Sequence, residues 1–96
     1  MPRNQKLTKV IAGRTVKVAT VEPGAVLVVF DDESRMKIKI AGPGPIPPGG
    51  KIKSVHETKV EFRIEFEDSS SATFCLADPG SSVAVRDKNN AVEYLG

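Results

Sequence analysis

The chain has 96 residues, of which 40% are hydrophobic and 27% charged, a composition that excludes a charge-rich disordered tail and suits one compact domain. Its longest uninterrupted apolar run, residues 25–30, is far shorter than the roughly 20 residues that cross a bilayer. Lys9, Arg14 and Lys17 interrupt the apolar stretch that a signal peptide needs. Cys75 is the single cysteine, which excludes an intrachain disulfide and a cysteine-based metal site. We therefore expect a cytoplasmic protein with no membrane partner, no cofactor and no metal.

The first clear strand in chain order, residues 25–30, is apolar on both faces. Such a strand is typically covered on both sides, as a central strand or as an interface strand. One core in so short a chain covers one face easily, whereas Leu27 and Val29 on the other face need the rest of the chain or a second subunit. Leu27 and Val29 therefore mark a candidate association strand.

The later segments alternate apolar and polar residues, the period of strands that bury one face. They comprise residues 35–40, 59–66 and 72–76, followed by two weaker strands at 83–85 and 92–94. The predicted core consists of Val16, Val18, Val26, Val28, Phe30, Met36, Ile38, Ile40, Val60, Phe62, Ile64, Phe66, Phe74, Leu76, Val83, Val85 and Tyr94. No window of ten or more residues has the apolar spacing of an amphipathic helix. We expect an all-β fold, a small barrel or sandwich of about eight or nine short antiparallel strands with essentially no helix.

An ungapped offset of 36 residues aligns residues 13–44 with residues 49–80. Eight of the 32 aligned pairs are identical, where about two are expected by chance, which favours an internal repeat. The alternative is that two β-meanders with similar turns align this well without being related. Each half is predicted to form a three-stranded meander that is too small to bury its own apolar face. The two halves must then share one core, in a pseudo-twofold arrangement.

The predicted organisation is a single domain, residues 1–96. Meander one spans about residues 7–41, a Pro/Gly spacer spans 42–50, and meander two with a closing hairpin spans 51–96. Prolines and glycines dominate the spacer, so no strand ladder runs through it and we interpret it as a stiff connection.

Two segments resemble the strand and acidic hairpin of SH3-like small barrels: residues 26–34 and their counterpart, residues 62–70. Residues 82–94 resemble the closing strands of such barrels. The resemblance implies a fold that carries peptide binders, methyl-lysine readers, RNA binders and assembly modules alike. Trp is absent and Tyr94 is the single tyrosine, so the aromatic patch of peptide-binding SH3 domains and the aromatic cage of methyl-lysine readers have no counterpart here.

Charge is divided unequally along the chain. Residues 1–53 contain ten Lys or Arg and four acids, whereas residues 54–96 contain four Lys or Arg and eight acids. A candidate basic binding face consists of Arg35, Lys37, Lys39, Lys51 and Lys53. Such a face attracts a phosphate backbone, although cations are also needed on any solvated sheet face. A further alternative pairs Lys37 and Lys39 with Glu61 and Glu65, across strands or across a subunit boundary.

Catalytic residues are not indicated. His56 is the single histidine, and a general base also needs a nucleophile and an orienting group, which the sequence does not place beside it. The acidic residues 31–33 and 67–68 lack the spacing of a calcium loop. The favoured function is therefore a non-catalytic interaction module that binds a protein or a second copy as a homodimer. Weak, sequence-independent nucleic-acid binding is the alternative.

Overall fold

Eight antiparallel strands in two sheets and one short helix form the fold of the computed structural model, which describes residues 4–42, 49–58, 60–77 and 83–96. The elements are α1 (Gln5–Ile11), β1 (Val16–Glu22), β2 (Ala25–Phe30), β3 (Arg35–Lys39), β4 (Ile52–Glu57), β5 (Glu61–Phe66), β6 (Ser71–Cys75), β7 (Val83–Arg86) and β8 (Val92–Leu95). The predicted all-β fold is confirmed. Positions 43–48 of the predicted spacer lie outside the described residues.

The strands are divided between a five-stranded sheet of order β1-β2-β3-β7-β8 and a three-stranded sheet of order β4-β5-β6. Two isolated bridges join the sheets, one between Thr15 and Lys51 and the other between Ile40 and Leu76. The inward faces of both sheets enclose one core, which contains all four phenylalanines.

The strands of the two meanders correspond in position along the chain. Strands β2 and β3 begin and end 36 residues before β5 and β6, and β1 begins 36 residues before β4. A β-bulge interrupts β1 between Val16 and Val18, and another interrupts β4 at the corresponding positions. Two reciprocal backbone hydrogen bonds join the halves. Gly13 N–H donates to the Ile52 carbonyl at 2.8 Å, and Gly49 N–H donates to the Val16 carbonyl at 2.7 Å. These paired contacts are those of a pseudo-twofold arrangement.

The β2–β3 and β5–β6 hairpins use the same turn chemistry. Glu33 and Ser69, 36 residues apart, both adopt a positive φ, of 69° and 73°. In the first hairpin the Asp32 carboxylate accepts the Ser34 N–H at 2.9 Å, and Asp68 accepts the N–H of Ser70 at the same distance. Each aspartate therefore holds its turn in the conformation that returns the chain into the next strand.

The expectation of essentially no helix is wrong for residues 5–11. Asn4 caps α1, since its side-chain oxygen accepts the Leu7 N–H at 3.0 Å, and Leu7 and Ile11 bury one side of the helix in the core. At seven residues, α1 is shorter than the window in which helical periodicity is usually recognised. Residue 7 is therefore helical rather than the start of meander one. No described helix has the length and apolar character needed to cross a membrane.

All but three of the predicted core side chains are buried. Val18 is 47% exposed because the bulge in β1 turns it to the outer face, opposite Val29. Val60 is 59% exposed because it precedes β5 at the end of a hairpin. Tyr94 is half-buried and packs against the core. The predicted core also omits several residues that the structure buries, namely Leu7, Ile11, Ala25, Ile52, Val55 and Ala72.

Phe62 and Val60 provide a matched test of this core. Phe62→Ala removes a fully buried ring, so the free energy of unfolding should fall by about 3–5 kcal/mol. Val60→Ala, at an exposed position of the same segment, should change it by less than about 0.5 kcal/mol. Urea unfolding followed by circular dichroism measures both, and equal losses for the two variants would contradict the assigned faces.

Candidate functional site

The outer face of the five-stranded sheet brings two predicted sites together. Leu27 on β2 lies directly opposite Lys37 on β3, and Val29 lies directly opposite Arg35. Residues directly opposed across a sheet share a face. The predicted association residues and the cations of β3 therefore form one surface, on which Leu27 and Val29 are half-buried.

This surface, which we call the cationic face, continues across the sheet. Its members are Val18, Thr20, Leu27, Val29, Arg35, Lys37, Lys39, Ala84, Arg86, Val92 and Leu95. Three large apolar side chains on it are open to solvent: Val18 at 47%, Val92 at 48% and Leu95 at 66%. The cationic face therefore combines exposed apolar area with positive charge.

The charges of β3 are not neutralised by acids within the described parts of the chain. Arg35, Lys37 and Lys39 are exposed and take part in none of the ion pairs found among those residues. Glu22 is on the same face, at the end of β1 and opposite Ala25. Among the residues that the structure describes, the face is therefore cationic overall, with Glu22 at one margin.

Lys51 and Lys53 do not extend this face. They belong to the region around β4, in the three-stranded sheet, whereas the other three predicted cations lie on β3. The Lys51 ammonium also lies 3.7 Å from the Glu67 carboxylate. The five predicted cations thus occupy two sheets, and three of them adjoin the predicted association strand.

A polar cluster occupies the outer face of the three-stranded sheet. Ser54 Oγ lies 3.2 Å from His56 Nε2, and the same nitrogen lies 3.5 Å from Glu65 Oε1. A serine–histidine–acid triad needs the acid on the other ring nitrogen, where it orients the base. Here serine and acid both approach Nε2, and Arg63 lies 3.7 Å from Glu65 Oε1. This geometry favours a structural network over nucleophilic catalysis.

No cluster of three or more metal-binding side chains occurs among the described residues. The largest remaining charged cluster surrounds Arg14, which donates to the two carboxylate oxygens of Glu93 at 2.8 and 3.0 Å and to Ser34 Oγ at 2.9 Å. Its guanidinium also lies 3.6 Å from Asp32 and stands over the Phe30 ring. These contacts connect β8, the β2–β3 hairpin and the segment after α1, so we assign the cluster a structural role.

The same cluster shifts the ionisation of its members. Hydrogen bonding to Glu93 raises the pKa of Arg14, although burial opposes the change. Desolvation acts to raise the pKa of Asp32, but hydrogen bonds from Ser34 and the charge of Arg14 outweigh it, so the pKa is lowered. Hydrogen bonds from Ser70 lower the pKa of Asp68 in the second hairpin.

Comparison with known protein families, curated proteins and solved structures found no match to this chain. The resemblance to SH3-like barrels therefore stays a prediction.

The sequence pattern did not identify the exposed apolar residues of the cationic face. The predicted core includes Val18, and the pattern assigns Val92 to a weaker strand together with Tyr94 and does not single out Leu95. Alternation places Leu95, next to the half-buried Tyr94, on the opposite face. Val92 reaches that face only through the register shift between Val85 and Arg86, which the sequence pattern does not indicate.

The two hairpin aspartates give a prediction about pH. A carboxyl whose pKa is lower in the folded chain stabilises the fold above its ordinary pKa of 3.8, and that contribution is lost as pH falls through the lowered value. Carboxyl NMR titration should therefore give midpoints below 3.8 for Asp32 and Asp68. Ser34→Ala should raise the first midpoint and Ser70→Ala the second. An unmoved midpoint in either variant would contradict the assigned cause.

Proposed function

We propose that the protein is a non-catalytic interaction module whose cationic face binds a protein surface that presents acidic and apolar side chains. The observation that carries this proposal is the pairing of Leu27 with Lys37 and of Val29 with Arg35 on one open sheet face.

The chemistry of that face suits a protein partner. Apolar side chains at the centre of an interface gain free energy by leaving water, at about 25 cal/mol per Å² of buried apolar area. Charged groups around them favour partners of opposite charge and speed the encounter. Leu27 and Val29 provide the centre, and Arg35, Lys37 and Lys39 provide the charge beside it. A complementary partner therefore needs acids that flank an apolar patch.

A different protein suits the face better than a second copy does. The acids Glu61 and Glu65 project from the outer face of the three-stranded sheet and are the predicted partners of the β3 cations. Glu65, however, already lies within 3.7 Å of Arg63 and 3.5 Å of His56. Arg63 therefore offsets part of the Glu65 charge inside the chain, which weakens the attraction of Glu65 for the cations of another copy.

Nucleic-acid binding is the second candidate, supported by the three cations of β3, none of which forms an ion pair with a described residue. They alternate along one strand and span about 13 Å, long enough to contact more than one phosphate. Single-strand binding usually adds aromatic side chains on which bases stack. All four phenylalanines are buried in the core, so the described surface offers none of their rings for stacking.

Site-specific photo-crosslinking in cells tests the proposal. A photoreactive amino acid replaces Thr20, which is exposed on the cationic face opposite Leu27. We expect a discrete protein adduct that resists nuclease. Reversing two charges, with Arg35→Glu and Lys37→Glu, should reduce that adduct about tenfold or more, because like charges would then face the partner's acids. The matched control, Lys51→Glu with Lys53→Glu, makes the same charge change in the other sheet and should retain it.

Two results would contradict the proposal. One is an adduct no stronger than that from a crosslinker at Thr73, on the outer face of the other sheet. The other is an adduct that survives reversal of the β3 charges. Adducts that disappear on nuclease treatment would instead support the nucleic-acid candidate.

A further inference from the structure

Two arginines of the cationic face lie side by side on neighbouring strands. Arg35 on β3 is directly opposite Arg86 on β7. Directly opposed side chains have Cβ atoms about 4.5–5.5 Å apart, and like charges at such positions repel each other and destabilise the sheet. The outer face of the five-stranded sheet therefore carries two mutually repulsive cations, which we call the arginine pair.

No described carboxylate neutralises the arginine pair. Neither Arg35 nor Arg86 takes part in the ion pairs found among the described residues. Glu33, two residues before Arg35, is absent from those ion pairs as well. Asp87, the residue after Arg86, instead accepts two N–H groups of the β7–β8 turn at 2.8 and 2.9 Å. Within the described chain, the charge of the pair is thus available to a ligand.

The hydrogen-bond donors of the pair are also largely unused within the described chain. A guanidinium has five N–H donors and no acceptor. Arg86 donates from Nη1 to the Asn90 carbonyl at 3.2 Å, which holds its outer end near the β7–β8 turn. The exposed side chain of Arg35 makes no described hydrogen bond. Two guanidinium groups this close together form a receptor for one oxyanion, whose oxygens accept from both.

Apolar side chains border the arginine pair on both sides. Val29 is directly opposite Arg35 on β2, and Val92 is directly opposite Arg86 on β8. Val29 is half-buried and Val92 is 48% exposed. An oxyanion between the arginines therefore has apolar neighbours along the same row. A partner that covers these valines excludes water beside the oxyanion, which strengthens its attraction to the guanidinium groups.

We propose that Arg35 and Arg86 bind a phosphomonoester group carried by the protein partner of the cationic face. This inference rests on the proposed function and names the acidic group that the face recognises. A phosphomonoester has a charge of about −1.5 to −2 at neutral pH and three strong acceptor oxygens. It therefore neutralises two guanidinium groups at once, whereas a carboxylate or a phosphodiester supplies a single negative charge. Lys37, two residues along β3 on the same face, adds a third cation.

NMR titration of the full chain measures this binding. The probe is a tripeptide, blocked at both ends, with phosphoserine between two leucines. Two comparison peptides have serine or glutamate in place of the phosphoserine. We expect the phosphopeptide to shift the Nε–H signals of Arg35 and Arg86 saturably, with a dissociation constant at least about tenfold below that of the glutamate peptide. Dimethyl phosphate, a phosphodiester, should bind no more tightly than the glutamate peptide.

Neutral substitutions in the arginine pair provide the second test. Arg35→Gln and Arg86→Gln should each raise the dissociation constant of the phosphopeptide about fivefold or more, because each removes one of the two guanidinium groups. The Arg35 side chain makes no described contact, so its replacement should leave the fold intact, which circular dichroism checks. The matched control, Arg63→Gln, removes an arginine from the other sheet and should leave phosphopeptide binding unchanged.

Equal affinities for the phosphoserine and glutamate peptides would overturn the inference, and so would a loss of binding in Arg63→Gln as large as that in Arg35→Gln. Phosphatase treatment of a lysate before crosslinking at Thr20 separates this inference from the proposed function. We expect the treatment to remove the protein adduct. An adduct that requires the β3 charges but survives both phosphatase and Arg86→Gln would overturn the inference and leave the proposed function intact. Absence of any protein adduct would instead contradict the proposed function, and with it a protein as carrier of the phosphoryl group.

Discussion

The fold depends on the sharing of one core by two meanders that are each too small to bury an apolar face alone. The reciprocal bonds from Gly13 to Ile52 and from Gly49 to Val16 hold the two meanders in a pseudo-twofold relation. Both glycines have a positive φ, near 90°, a conformation that other residues rarely adopt. The shared core determines which residues face inward on the six strands of the two meanders, and it leaves the residues on the outward faces free to differ.

The outward faces do differ, and the functional proposals follow from that difference. Leu27 and Lys37 of the first meander correspond to Arg63 and Thr73 of the second. One sheet therefore presents apolar and cationic side chains together, while the other presents a polar cluster. The β7–β8 hairpin adds to the asymmetry, because it extends the first sheet only. One scaffold thus presents two outer surfaces of different chemistry.

The sequence predicted the features that depend on local periodicity. Alternation along residues 60–66 and the offset of 36 residues were sufficient to identify strands, hairpins and most of the core. The prediction of buried faces failed where a bulge shifts the alternation of inward and outward residues, as at Val18 in β1. It also missed the helix α1, whose seven residues are stabilised by a cap and by tertiary packing. That Leu27 lies opposite Lys37 follows from the register between β2 and β3, which the sequence of neither strand specifies by itself.

Native-state hydrogen exchange tests the shared core most directly. The account predicts that the Gly13 and Gly49 amides, which make equivalent bonds across the two halves, exchange at similar rates. Both should be exposed only by global unfolding, with the same dependence on denaturant. Exchange of one amide through a separate opening of its own half, while the other stays protected, would contradict a single core built by both meanders.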